Sequence, residues 1–256
     1  MGPSHPGAAA LPGAFRRSAV ALAYGLSCHT LFVAAIACMA VGLHTGLQSG
    51  LGTLHGAGAF AADALLVLQF PLLHSALLNG RGRAWLLRLA PGDLARDLSS
   101  TLFAIVASLQ LLLAFGLWSP SGVVLYDAPA GAGRTVLFAT HVAAWLFLNK
   151  AILDGGLALQ TGLLGWWAVF RGRRPEFGPL RTSGLFALCR QPIYLGFALV
   201  LWTGPTMTLD RLLLAVLWSA YCGFGPRLKE RRYARMHGAG FAAYRARVPY
   251  LIPRWR

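Results

Sequence analysis

The stretch AVALAYGLSCHTLFVAAIACMAVGL, Ala19 to Leu43, contains no Asp, Glu, Lys or Arg. As a helix it is long enough to cross roughly 30 Å of hydrocarbon. Phe15-Arg16-Arg17-Ser18 precedes it. That order resembles a secretory leader, but the apolar run is too long for one, and it reads as an uncleaved first span. Residues 1–18, rich in Pro, Gly and Ala at their start, read as a disordered N-terminus. The whole chain agrees with this class: of 256 residues, 56% are hydrophobic and only 12% charged. A soluble domain carries about twice that charged fraction.

Working outward, further apolar runs recur at Phe60 to Leu78, Ser99 to Trp118 and Thr135 to Leu153. Gly155 to Phe170 is apolar but rich in Gly and Trp, and reads either as a half-span or as an interfacial helix. Gly184 to Gly204 and Leu209 to Phe224 form a hairpin about Gly204-Pro205-Thr206-Met207-Thr208. The predicted fold is all-α, a polytopic membrane helix bundle of about six spans. Residues 19–170 form an N-terminal transmembrane region and residues 171–256 a C-terminal core of hairpin and basic tail.

The charges give the topology. There are 23 Lys+Arg against 8 Asp+Glu, a formal net charge of +15. They fall between apolar runs rather than on a nucleic-acid-binding face: Arg16 and Arg17, then Arg81, Arg83 and Arg88, then Arg171, Arg173, Arg174 and Arg181, then the tail. Thr45 to Gly56 carries no Lys or Arg, and Ser119 to Gly133 none before Arg134. This asymmetry predicts both termini on the cytoplasmic side of a bacterial inner membrane. The cysteines Cys28, Cys38, Cys189 and Cys222 sit in or beside apolar runs without a CxxC pair, as small buried residues do. No His, Cys or carboxylate spacing suggests a metal.

Two segments place expensive groups beside the membrane. Leu185 to Gly196 contains Arg190-Gln191-Pro192-Ile193-Tyr194, and Arg227-Leu228-Lys229-Glu230-Arg231-Arg232-Tyr233 follows the next apolar run. Ionisable residues there are a functional-site hypothesis by default. Proline removes a backbone donor, so the spacing predicts a break at Arg190-Gln191 with a new helix from Pro192. Free backbone groups at that break need a polar neighbour, which a bound cofactor would supply. The alternative is a proline kink with Arg190 reaching to lipid phosphate. His74 with Ser75 is either a substrate-side polar contact or a helix-end histidine bonded to a nearby carbonyl. Lys150 and Asp154 have the spacing of an i, i+4 ion pair. His29 and His141 read as histidines bonded between helices.

Arg190-Gln191-Pro192-Ile193-Tyr194-Leu195-Gly196, Lys229-Glu230-Arg231, His237-Gly238, Phe241-Ala242-Ala243-Tyr244 and Leu251-Ile252-Pro253 together resemble the C-terminal signature of the isoprenylcysteine carboxyl methyltransferase superfamily. Tyr24-Gly25, Leu73-His74-Ser75, Gly204 to Thr208 and Arg247-Val248-Pro249 extend the resemblance to a bacterial branch of methanethiol S-methyltransferase-like membrane proteins. The resemblance implies an S-adenosylmethionine-dependent transfer of methyl to a small or lipophilic thiol. It also implies a cofactor site of Arg190, Gln191, Pro192, Tyr194, Glu230 and Tyr244, with Arg190, Tyr194 and His74 at the reacting groups and the tail as a lid. Partners are then the thiol and membrane lipids, with no nucleic acid and no obligate protein. The chain departs from the signature at Gln191 for histidine, Lys229 for the first glutamate, His237 for phenylalanine and Phe241 for tyrosine. These departures keep a non-catalytic divergent member in view, and a partly similar C-terminal pattern keeps an NADPH-dependent reductase of steroid-reductase type as a further alternative.

Overall fold

A computed structural model describes residues 12–253. In chain order the elements are α1 (Pro12–His44), α2 (Gly56–Ala76), α3 (Gly80–Leu87), α4 (Ser99–Gly116), β1 (Val124–Asp127), α5 (Ala132–Asp154), α6 (Leu157–Gln160) and α7 (Leu163–Phe170). The C-terminal part adds α8 (Leu185–Leu188), α9 (Pro192–Trp202), β2 (Thr206–Thr208), α10 (Leu209–Phe224) and α11 (Pro226–Arg247). Residues 1–11 of the expected disordered N-terminus lie outside the described residues. The rest of it, from Pro12, is the first two turns of α1, where proline at the first helical position and the Ala14 to Ala19 sequence suit a helix.

Among the described residues, four helices, α1, α2, α4 and α5, are long and apolar enough to cross a membrane. Of the expected hairpin, α10 has the expected bounds at 16 residues, whereas α9 has 11 and is shorter than the Gly184 to Gly204 arm, roughly 24 and 16 Å of helix. The break before Pro192 accounts for this, because it removes the residues from Gly184 to Gln191 from the continuous helix. Gly155 to Phe170 folds as α6 and α7, and α7 packs beside α1 and α4 as a half-length element. The bundle runs α7, α1, α4, α2, α10, α9, α5 by neighbour contact.

The core lies along this line, with Met39, Phe115, Leu148, Val200, Leu214 and Trp218 buried together. Leu26, Phe60, Leu65, Val136 and Leu146 stay exposed on the outer faces of their helices, as lipid-facing residues do. In lipid, helices associate through close packing rather than exclusion of water, so small residues mark contacts. Gly196 is one: a Cβ there would lie 2.9 Å from Leu148 Cα, so α9 seats directly on the backbone of α5.

At the end of the bundle opposite the Arg190 break, β1 pairs antiparallel with β2, an element the Pro/Gly-rich Ser119–Gly133 loop did not announce. Two carboxylates tie that loop down. Asp63 accepts from the Ser119 amide at 3.1 Å, and Asp210 accepts from the Ser121 amide at 3.0 Å and hydroxyl at 2.7 Å. Arg211, whose sequence position suggested only an outer-turn charge, is fully buried. It donates to the carbonyls of Val200, Leu201, Thr203 and Thr206. The last carbonyls of α9 have no helical partner, and a cation there satisfies both hydrogen bonding and the helix dipole.

Candidate functional site

The tail folds back onto the break. Arg190 donates its backbone N–H to the Pro249 carbonyl at 2.9 Å, Tyr244 donates to the Phe186 carbonyl at 2.6 Å, and Tyr250 donates to the Gly223 carbonyl at 2.9 Å. The Arg190 amide expected to await a cofactor is thus taken by the chain's own closing segment. α11 can return because it bends at Gly238, whose φ of 48° and ψ of −122° lie outside the helical region.

Glu230, in the first turns of α11, meets the residues before α9. Arg190 donates to it through Nε at 2.8 Å and through Nη2 at 3.2 Å. Gln191 donates Nε2 to the same carboxylate at 3.0 Å. Arg190 Nη1 donates further to the carbonyls of Arg245 and Val248. Of the five N–H groups on a guanidinium, four are thereby spent inside the protein. Arg190 therefore acts first as the clasp joining break, α11 and closing segment. Glu230 Oε2 keeps acceptor capacity, since its partner among the described residues is Arg190 Nη2 alone.

Outside the clasp is a cleft of about 520 Å³ lined by Arg190, Arg227, Glu230, Arg231, Arg245 and Tyr250. Four arginines around one glutamate make an anion-attracting rim. Tyr250 supplies an aromatic surface, with Arg190 Cζ 5.5 Å from its ring centre.

On the inner side of the clasp lies Lys229. Its Nζ is 5.4 Å from the ring centre of Tyr233 and 5.8 Å from those of Phe186 and Tyr194. Its hydrogen-bond acceptor is Gln191 Oε1, at 3.4 Å. Burial, and then the positive charge of Arg232, lower the Lys229 pKa to about 8, with Glu230 opposing. Burial likewise pushes the phenols of Tyr233, Tyr244 and Tyr250 above their ordinary value.

The structure thus brings together Arg190, Gln191 and Glu230. Pro192 is buried at the first position of α9, and Tyr194 faces Lys229 on one side and Tyr221 on the other, ring centres 6.2 Å apart. Tyr244 is buried and bonded to backbone. It lies within the tail's packing rather than on the cleft. His74 stands on α2 between Phe70 and Phe103, at 4.8 and 4.6 Å, and its Nδ1 has no hydrogen-bond partner among the described residues. The bond to a nearby carbonyl expected of a helix-end histidine is not made by Nδ1. Its neighbour Ser75 makes the link instead, with its hydroxyl 3.3 Å from that of Tyr221. Sequence reasoning missed Tyr221, Tyr233, Tyr250 and the aromatic surround of Lys229; the i, i+4 spacing of Lys229 and Tyr233 was the available signal.

Comparison with known proteins gives consistent relatives. The chain is 27% identical to a methanethiol S-methyltransferase of Pseudomonas sp. (strain GM41(2012)), over 91% of this chain and 90% of that protein. It is 31% identical to methanethiol S-methyltransferase 2 of Bradyrhizobium diazoefficiens, over 77% of this chain and 74% of that protein. It is also 31% identical to nurim of Mus musculus, over 69% of this chain and 70% of that protein. No protein-family model matches the chain. No solved structure matches it either.

Proposed function

Because this chain belongs to the family of methanethiol S-methyltransferase-like membrane proteins within the isoprenylcysteine carboxyl methyltransferase superfamily, we propose that it transfers a methyl group from S-adenosylmethionine to a small or lipophilic thiol. The observation that carries this reading is the Arg190–Glu230–Gln191 clasp beside an arginine-rimmed cleft. Its chemistry suits such a cofactor. Arg227, Arg231 and Arg245 offer charge-assisted donors to a carboxylate. Glu230 Oε2 offers an acceptor to a hydroxyl, and the Tyr250 ring gives the cleft an aromatic surface.

When bound, the cofactor supplies an already activated methyl on a sulfonium sulfur. The chain's own contribution is positioning and exclusion of water, which an S-methyl transfer needs more than a nucleophilic side chain. Arg190 holds the closing segment over the break through Arg245 and Val248. Gln191 reads the same carboxylate and fixes the start of α9. We place the clasp on the cytoplasmic face of the inner membrane, because the arginine-rich loops and the tail share that end.

Calorimetric titration of detergent-purified protein with S-adenosylhomocysteine tests the reading, with methanethiol and hydrogen sulfide assayed as acceptors. Saturable binding, weakened at least tenfold by Glu230→Ala, and methylation of a thiol support it. Folded protein that binds no S-adenosylhomocysteine, or that binds NADPH instead, refutes it.

A further inference from the structure

The reaction just proposed leaves one proton unaccounted for. An acceptor that arrives as a thiol must lose its S–H hydrogen, and few groups near the clasp can take it. Glu230 accepts from Arg190 on both oxygens and from Gln191 on one, and the acceptor capacity left on Oε2 is the one assigned above to the cofactor. Arg190 and Arg232 are permanent cations. Tyr194, Tyr221 and Tyr233 are phenols, which give up protons at high pH and do not gain them near neutrality. His74 is walled off by Phe70 and Phe103.

Lys229 differs from all of these. Its amine is enclosed by Phe186 of α8, Tyr194 of α9 and Tyr233 of α11. Among the described residues it forms no salt bridge, because the neighbouring carboxylate is committed to Arg190. Its one hydrogen-bond partner is a neutral amide oxygen, Gln191 Oε1. Facing it are Arg232 and Glu230 from its own helix, the Tyr194 and Tyr233 phenols, and Tyr221 of α10 edge-on behind Tyr194. Desolvation of the amine and the charge of Arg232 outweigh the attraction of Glu230, which favours the neutral form relative to an exposed lysine.

We propose that Lys229 is the proton acceptor of the methyl transfer, taking the S–H proton of the thiol and stabilising the thiolate as the ammonium it becomes. The proposal rests on the methyltransferase reading. In the step, the S–H bond breaks and an N–H bond forms at Nζ. A lone pair on the acceptor sulfur then forms the new C–S bond to the methyl group, and the old C–S bond breaks with its electron pair passing to the donor sulfur. Charge is conserved: positive charge leaves the sulfonium as it appears on Lys229. The ammonium so formed faces the Phe186, Tyr194 and Tyr233 rings. A sulfonium bound within reach of the amine would also favour its neutral form by like-charge repulsion. The value near 8 that burial and Arg232 impose brings the amine close to the operating pH, as general-base catalysis requires.

The test compares two acceptors, an alkanethiol and an arylthiol already ionised at neutral pH, in the wild type and in Lys229→Met and Lys229→Arg variants. Arginine keeps the charge but cannot give up its proton. S-adenosylhomocysteine affinity is measured in parallel. The expected result is a loss of about 10²- to 10³-fold in kcat with the alkanethiol in both variants, a loss of less than about fivefold with the arylthiol, and cofactor-product affinity within about threefold of wild type. Wild-type kcat should rise with pH to a plateau just above 8, and the variants should lack that rise. Lys150 and Lys229 are the chain's lysines, so ¹³Cε-lysine NMR of the Lys150→Met protein reads Lys229 alone. Its midpoint should lie near 8, whether or not the Lys229 variants fold. Equal losses with both thiols, tighter binding of S-adenosylhomocysteine after removal of the amine, or a midpoint near the ordinary lysine value would each overturn the proposal. A wild type that methylates neither thiol overturns the methyltransferase reading with it, whereas an active wild type and unimpaired variants overturn the role of Lys229 alone.

Discussion

Arg190 and Glu230 meet fork to fork across forty residues of sequence, Nε to Oε1 at 2.8 Å and Nη2 to Oε2 at 3.2 Å, with side chains only 9% and 12% exposed. That pair does two things at once. It closes the tail on the hairpin, and it sets Glu230 at the edge of the arginine-rimmed cleft.

Breaking the pair from both sides should cost less than the two single losses added together. Arg190→Ala leaves Glu230 poorly solvated with only Gln191 donating to it, and Glu230→Ala leaves a guanidinium facing its own cation-rich rim. Each single variant should lose about 2–4 kcal/mol, read as a lowered thermal midpoint in detergent. The double variant should lose clearly less than the sum, with a coupling of about 1–3 kcal/mol. Additive losses would mean that the clasp is not an energetic unit.

Lys229 gives a pH dependence of stability with a definite sign. Burial lowers its pKa from 10.5 to about 8 in the folded protein, so between those values the unfolded chain binds the extra proton. Stability therefore rises as pH climbs from about 8 to 10.5, and below 8 the folded state carries the cost of a buried ammonium. The thermal midpoint of the wild type should increase over that window relative to Lys229→Met. Parallel curves for the two proteins would show that the amine is solvated.

Much of this was legible in the sequence because its physics is one-dimensional. Apolar runs as long as Ala19 to Leu43 have few alternatives to a span, and Pro192 can only start a helix at that place. The family signature brought Arg190, Gln191 and Glu230 together before any coordinates did. Arg211 was not legible, since nothing in Thr208-Leu209-Asp210-Arg211 says that the guanidinium turns back to the carbonyls of α9 rather than out to water. The surround of Lys229 was missed for a related reason. Phe186, Tyr194 and Tyr233 lie on three elements, and only the return of α11 brings them to one amine.

The acceptor path proposed to Lys229 is bordered by Ser75 of α2, hydroxyl-linked to Tyr221 of α10, and by the edge-on rings of Tyr221 and Tyr194, the second of which faces the Lys229 amine. Tyr221→Phe and Ser75→Ala should raise KM for the thiol about two- to fivefold, equivalent to losing one neutral hydrogen bond, with S-adenosylhomocysteine affinity unchanged. His74→Phe should change both by less, because its ring already packs as an aromatic between Phe70 and Phe103. A larger effect at His74 than at Tyr221 would move the acceptor path to the Phe103 side.

Arg211 offers the sharpest separation of stability from chemistry, since it sits at the opposite end of α9 from the clasp. It is fully buried and donates to four backbone carbonyls, and the turn is shaped around it: Gly204 has a φ of +130°, and a Cβ there would lie 2.8 Å from Arg211 Nη1. Arg211→Met keeps the apolar stem but strands those carbonyls, at a cost of about 3–5 kcal/mol. Gly204→Ala strains the same turn through both the positive φ and the contact, at about 1–3 kcal/mol. The two losses should be strongly sub-additive, because a turn already released from Arg211 has room for the methyl group. At a temperature where both variants remain folded, S-adenosylhomocysteine affinity should match the wild type within about twofold. A tenfold loss of affinity in folded Arg211→Met protein would show instead that α9 transmits displacement along its whole length to Arg190.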